Sequence, residues 1–333
     1  MSGEGRVFEL GPFRLHSGQV LPNANVVYQT YGTLAADRGN VVLYPTSFGA
    51  QHSDIDWLIT PGGILDPSRY FVIVVNMFGN GLSTSPSQTG GVPFAVSHYD
   101  NVAAQARLLA EVFGVERLAL IYGWSMGAQQ AYHWAVLHPE RVERIAVLCG
   151  TARTSQHNLL FLKSLEAALQ ADPAWDGARF VGAPERGLRA FARIYASWAA
   201  SQAFYRERLY RSLGYTDLED YLTRAWEPNY RRRHPSDLLN MLHTWMHSDV
   251  SANAEYGGDL ARALAAIRAR TLVMPSSTDL YFTAEDCAAD ARAIVGARLL
   301  TIPSIWGHRA GNPYQNPEDA RFIQAAIAEL MAA

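Results

Sequence analysis

Five short, uninterrupted apolar runs limit what this chain can fold into: "NVVLYPTSFG", "YFVIVVNMFGNG", "RLALIYGW", "RIAVLCG" and "ARTLVMPSSTD". An apolar run without alternation fits a strand buried on both faces, as in a parallel sheet covered by helices. Helical stretches separate the later runs, as parallel crossovers require. "SHYDNVAAQARLLAEVFG" puts Val102, Ala103, Ala106, Leu109 and Phe113 on one side and ends at Gly114. "MGAQQAYHWAVLHP" is a helix stopped near Pro139. Two further strands, "VFELGPFRL" and "NVVYQTYG", come first.

The rhythm breaks between about Arg153 and Asp259. There the pattern is helical: "NLLFLKSLEAALQ", "GLRAFARIYASWAASQAFYRERL", "LEDYLTRAWEPNY" and "SDLLNMLHTWMHS". It then returns with the helix "AEDCAADARAIVG", the strand "RLLTIPSIWGHRAG", which runs into a loop, and the final helix "PEDARFIQAAIAELMA". The expected fold class is α/β, with a mostly parallel central sheet flanked by helices. The chain divides into a first core segment (1–152), a helical cap (153–259) and a second core segment (260–333).

Composition excludes several functions. With 49% hydrophobic residues the chain has material for a sizeable core, and a net charge of -3 gives no field drawing it to nucleic acid or anionic lipid. Lys163 is the only lysine and lies in a helical pattern, so there is no lysine-bearing phosphate loop. The two cysteines, Cys149 and Cys287, make no disulfide framework and suit a reducing cytoplasm. The opening "MSGEGRVFELG" has no basic region followed by an apolar one, so no secretory leader is expected. No apolar stretch is long enough to span a bilayer.

Chemistry concentrates at the carboxyl ends of the expected strands, where open parallel sheets form their ligand crevice. Gly123-Trp124-Ser125-Met126-Gly127 joins a strand to a helix, and such a turn lifts a serine hydroxyl out of the sheet. Asp279 follows "TLVMPSST" and His308 follows "LLTIPSIWG". Serine is a weak nucleophile at neutral pH and needs a base. Histidine suits that role, and a buried carboxylate fixes its tautomer. The order Ser…Asp…His is that of the α/β-hydrolase triad. The oxyanion donors expected are the N–H of Met126 and one from the "PTSFGAQHSD" loop, at Ser47 or Phe48. Asp56, Asp249 and Asp286 are rival acids, and His247 a rival base.

Other patterns take plainer readings. "GNGLST" is a turn, because the last glycine of a dinucleotide fingerprint is missing. His243 and His247 stand four apart without a following Glu, so packing or hydrogen bonding is expected and no metal site. "NYRRRHP" is a solvated cap face or domain contact, with coenzyme A phosphates as the alternative. Trp124, Trp245, Phe282 and Arg309 are the expected substrate-pocket residues, together with the region "HTWMHSDVS".

Three segments carry a resemblance: "YQTYGTLAADRGNVVL", "DNVAAQARLLAEVFGVERLALIYGWSMGAQQAYHWAVLHPERVERI" and "SIWGHRAGNP". Together they are similar to the homoserine O-acetyltransferase family of the α/β-hydrolase superfamily. The resemblance implies a nucleophile at Ser125, an acid at Asp279, a base at His308 and a double-displacement route. It also implies a homodimer joined through the cap. The chain departs from the transferases where they choose an acceptor. They follow the catalytic histidine with an aspartate that meets the homoserine ammonium, and this chain has Arg309. It therefore looks closer to the branch that acts as simple esterases.

Three functions follow. The first is hydrolysis of small acyl esters with water as acceptor and no resident cofactor. The second is acyl transfer to homoserine, serine or another alcohol, with acetyl-CoA as donor. The third is a binding protein that kept the fold without the chemistry.

Overall fold

The computed structural model describes residues 5–332; residues 1–4, part of the opening segment read for a leader, and residue 333 lie outside it. Eight strands form one sheet: β1 (Arg6–Arg14), β2 (Val20–Tyr31), β3 (Val41–Pro45), β4 (Phe71–Val75), β5 (Leu120–Trp124), β6 (Arg144–Leu148), β7 (Arg270–Met274) and β8 (Arg298–Leu299). Their spatial order is β1-β2-β4-β3-β5-β6-β7-β8. β1 pairs antiparallel with β2, and β2 antiparallel with β4; the other pairings are parallel.

The central strands show why their apolar runs do not alternate. Val41 and Leu43 face one buried cluster, with Ile121 and Val147. Val42 and Tyr44 face the other, with Leu120, Tyr122 and Leu148. Helices cover both faces. α1 (His98–Phe113) and α2 (Met126–Leu137) belong to the first cluster. α1 starts on a capping box in which Asp100 accepts from the Ser97 backbone at 2.7 Å. Its buried face is Asn101, Val102, Ala104, Gln105, Leu108 and Leu109, so the expected stripe is displaced and Ala103 is exposed.

Between β6 and β7 the named elements are all helical: α3 (Gln156–Gln170), α4 (Glu185–Ala199), α5 (Gln202–Arg206), α6 (Leu218–Tyr221), α7 (Glu227–Arg231), α8 (Pro235–Met246) and α9 (Leu260–Ala265), with shorter turns. The long helix expected from "GLRAFARIYASWAASQAFYRERL" breaks at Ala200, which is extended (φ -114°, ψ 150°), and Ser201 caps the next helix. α6 runs into α7 through a π-helical turn, Leu222–Trp226. Pro228, just beyond, has no N–H to continue the regular ladder. α10 (Ala284–Ala293) and α11 (Pro317–Ala332) complete the chain. β8 is shorter than its apolar run, with two exposed residues pairing at the sheet edge and Ile302 adding a bridge to Ser276. No helix among the described residues is long and apolar enough to cross a membrane.

Candidate active site

The topology brings two loops together. β3 lies between β4 and β5, so the chain leaves β3 towards one side of the sheet and later fills the other. A crevice opens at such a reversal, at the carboxyl ends of the two strands. Ser47, after β3, donates its hydroxyl to the carbonyl of Trp124, at the end of β5.

Ser125 follows Trp124 and caps α2 with φ 58° and ψ -125°. A non-glycine residue in this region costs about 1–3 kcal/mol and persists only where its surroundings enforce it. Here they do. The Ser125 N–H donates to Leu148 O at 3.0 Å, and its carbonyl accepts from Ala128 and Gln129 at 2.9 and 3.1 Å. The flanking glycines serve close approach. A Cβ at Gly123 would stand 2.3 Å from Gly127 O, and one at Gly127 would stand 2.5 Å from Pro45 O. Strand, turn and helix are packed backbone against backbone, with the hydroxyl-bearing residue at the apex.

Asp279 and His308 meet at the ends of β7 and β8. His308 Nδ1 lies 2.7 Å from Asp279 Oδ2, both side chains buried. A carboxylate only accepts, so Nδ1 carries the proton of this contact. Asp279 Oδ1 accepts from the N–H groups of Tyr281 (2.8 Å) and Phe282 (3.3 Å). His308 Nε2 is buried and has no hydrogen-bond partner. The imidazole stacks on Trp124, the neighbour of Ser125, at 5.1 Å, with Tyr281 at 4.6 Å and Phe282 at 5.7 Å. Trp124 Nε1 donates to His308 O at 3.3 Å.

A side-chain and backbone network sets the two loops in register. Thr278 Oγ1 donates to Ser304 O (2.7 Å) and accepts from Gly307 N (3.1 Å). Ser304 Oγ donates to Asp319 Oδ2 at 2.6 Å, where Asn316 Nδ2 also donates at 2.7 Å. Burial raises the Asp319 carboxyl above its ordinary value.

The cavity beside His308 has a volume of about 560 Å³. Phe48, Trp124, Tyr195, Trp226, His308 and Arg309 line it, with Arg224, Arg232 and Arg233. Ser125 is 2% exposed and does not itself line it.

A family model described as "alpha/beta hydrolase fold" matches residues 64–303. The chain belongs to the α/β-hydrolase family. It is similar to the ethyl acetate hydrolase of Pseudomonas veronii, 38% identical over 314 residues, covering 92% of this chain and 89% of that one. The crystal structure of the acetyl esterase MekB superposes with a TM-score of 0.96 at 36% identity, covering 99% and 97% of the two chains. The homoserine O-acetyltransferase of Caulobacter vibrioides is 35% identical over 343 residues, covering 90% of this chain and 88% of the other.

The structure distributes the expected pocket residues unevenly. Trp124 and Arg309 line the cavity with His308, and so does Phe48, expected as an oxyanion donor. Trp245 and Phe282 do not; both are fully buried and stack on each other at 5.5 Å behind it. The N–H groups of Ser47, Phe48 and Met126 have no acceptor among the described residues. The rival groups are occupied elsewhere. Asp56 accepts from Tyr31 Oη (2.5 Å), Asp249 pairs with Arg153 (2.6 Å), and Asp286 sits in the first turn of α10. His247 Nδ1 meets His243 O at 2.8 Å, and His243 Nε2 meets Glu166 at 2.8 Å, so the two histidines have separate partners.

Sequence reasoning missed Cys149, which follows β6 with φ 46°. Its sulfur and single ligand atoms of Asp279 and His308 lie within 4.8 Å of one another. Burial, and then Asp279, pushes the thiol well above its ordinary pKa. The Asp279 and His308 atoms of that group already bond each other. Tyr195, Trp226 and Tyr230 were missed as cavity walls, because nothing in a helical pattern distinguishes a pocket-facing aromatic from a core one.

Proposed function

We propose that this chain hydrolyses small, acetyl-type carboxylic esters through an acyl-enzyme on Ser125. The observation that carries the reading is the Asp279–His308 pair, with its unpartnered Nε2 against Trp124 and the strained Ser125 turn next in the chain. The activities named for ethyl acetate hydrolase and the acetyl esterase support the substrate class.

In this mechanism His308 Nε2 takes the Ser125 hydroxyl proton while Oγ attacks the ester carbonyl. The N–H of Met126 and that of Ser47 or Phe48 hold the oxyanion, each worth about 3–4 kcal/mol in the transition state. Asp279 holds Nδ1–H and stabilises the imidazolium. His308 then protonates the departing alkoxide, the C–O bond to the alcohol breaks, and the acyl group stays on Ser125. Water enters, gives a proton to His308 and attacks the acyl carbon. Ser125 leaves with that proton and the carboxylic acid is released. Segment 153–259 acts as a cap, closing the site with Tyr195 and Trp226.

The test is one preparation assayed with ethyl and p-nitrophenyl acetates, and with acetyl-CoA plus homoserine. Esters should be cleaved with water alone. Ser125→Ala should lower kcat by several orders of magnitude, about as much as loss of all three groups. Near-full esterase activity in that variant refutes the assignment. Strong dependence on homoserine favours the transferase reading, and no turnover together with no fluorophosphonate labelling of Ser125 favours the binding protein.

A further inference from the structure

Arg309 directly follows the proposed base, is half-buried, and has no carboxylate partner among the described residues. Its guanidinium bonds only neutral groups, Tyr221 Oη at 2.7 Å and Gln315 Oε1 at 3.4 Å, and lies 5.3 Å over the Trp306 ring. The other arginines around the cavity each meet a carboxylate. Arg224 pairs with Asp220 at 3.0 Å, and Arg232 and Arg233 share Asp54 at 2.9 and 3.2 Å.

Arg309 also stands between two spaces. It lines the 560 Å³ cavity above His308 and a side chamber of about 220 Å³. Trp226, from the π-helical turn, lines both, and its buried Nε1 has no acceptor. An uncompensated cation and an unused indole donor are costly to hold half-dehydrated unless an acceptor-rich ligand meets them. The Nε2 of His308 must reach the leaving oxygen, so whatever extends from that oxygen enters the cavity Arg309 lines. Phe282, fully buried, packs against the His308 ring at 5.7 Å and does not line the cavity.

We propose that the region around Arg309 is a subsite for a carboxylate on the leaving alcohol, so that the preferred substrates are acetyl esters of small hydroxy acids. This rests on the esterase reading above. A guanidinium that meets no carboxylate offers its fork to one, and the fork of an arginine suits a carboxylate.

The experiment compares charged and neutral isosteres: acetyl glycolate with acetyl glycolamide, and acetyl γ-hydroxybutyrate with its amide, beside ethyl acetate. In at least one pair the wild type should favour the carboxylate by about tenfold or more in kcat/KM. Arg309→Gln should bring that ratio towards one, and Arg309→Lys should keep part of it. The readout is a ratio within one preparation, so a general loss of activity cancels. Arg232→Gln should keep the ratio. A wild-type ratio near one in both pairs overturns the proposal, as does a ratio that survives Arg309→Gln or falls only in Arg232→Gln. If ethyl acetate and all four probes are untouched, the esterase reading falls and this falls with it. Cleavage of ethyl acetate without charge preference sinks the subsite alone.

Discussion

Gly123→Ala isolates the packing that lifts Ser125 out of the sheet. The added Cβ would lie 2.3 Å from Gly127 O and 2.6 Å from the backbone N and Cα of Ala128. Real Cβ contacts essentially never fall under 3.0 Å, so strand and helix must part by at least 0.7 Å, the difference between 3.0 and 2.3. The obstructing atoms are all backbone, and no side-chain rotation relieves them. Overpacking of this kind costs about 1–3 kcal/mol. A displacement of about 1 Å at a reacting centre costs about 100-fold in rate. Folded Gly123→Ala protein should therefore lose about two orders of magnitude in kcat on p-nitrophenyl acetate, label more slowly with a fluorophosphonate, and melt a few degrees lower. Gly39→Ala is the control, since its nearest neighbours are the exposed side-chain atoms of Asp37 at 3.3 Å or more. If Gly123→Ala stays within about threefold of wild type in kcat, the elbow tolerates the shift and the packing argument is wrong.

Three further outcomes are expected. Asp279→Asn should lower kcat by about four orders of magnitude by reversing the imidazole tautomer, whereas Asp249→Asn should leave kcat near wild type and only weaken the contact with Arg153; a larger kcat loss in the second variant would reassign the acid. Thr278→Val removes the hydroxyl joining the acid loop to the base loop and should lower kcat about tenfold with little change in KM, while Thr278→Ser restores it; equal activity of the Val and Ser variants contradicts a positioning role. Asp290 is buried and accepts from Ala152 N at 2.7 Å, and burial pushes its carboxyl up to about 7. The folded state keeps a proton that the unfolded chain releases above about pH 4, so this group's contribution to stability falls as pH rises from about 4 to about 7. Asp290→Asn should gain stability relative to wild type across that window, by up to about 4 kcal/mol, in urea titrations at several pH values. His133, pushed down to about 4 by burial, acts in the opposite sense, so only the difference between variant and wild type reads Asp290. An equal difference at pH 5 and pH 8 would refute the shift.

The groups legible in the sequence share one property: each sits where a parallel strand ends. Ser125, Asp279 and His308 follow β5, β7 and the β8 region, and a parallel sheet turns that repeated position in the chain into one shared edge in space. The Asp279–His308 contact spans 29 residues of sequence, yet needs only β7 and β8 to be parallel neighbours. The helical segment offers no such conversion. Tyr195 on α4, Trp226 on the π-helical turn and Tyr230 on α7 reach the cavity through helix packing and a Pro-linked change in helical register. An amphipathic pattern reports only that a face is covered. Trp245 fell to the same ambiguity from the other side: its place on α8 resembles that of a wall residue, and it is fully buried behind Phe282. The meeting of Ser125, Asp279 and His308 at one edge is thus written in strand order, while the shape of the cavity depends on how helices pack. Arg309 belongs to both, being fixed beside His308 by the first and left without a carboxylate by the second.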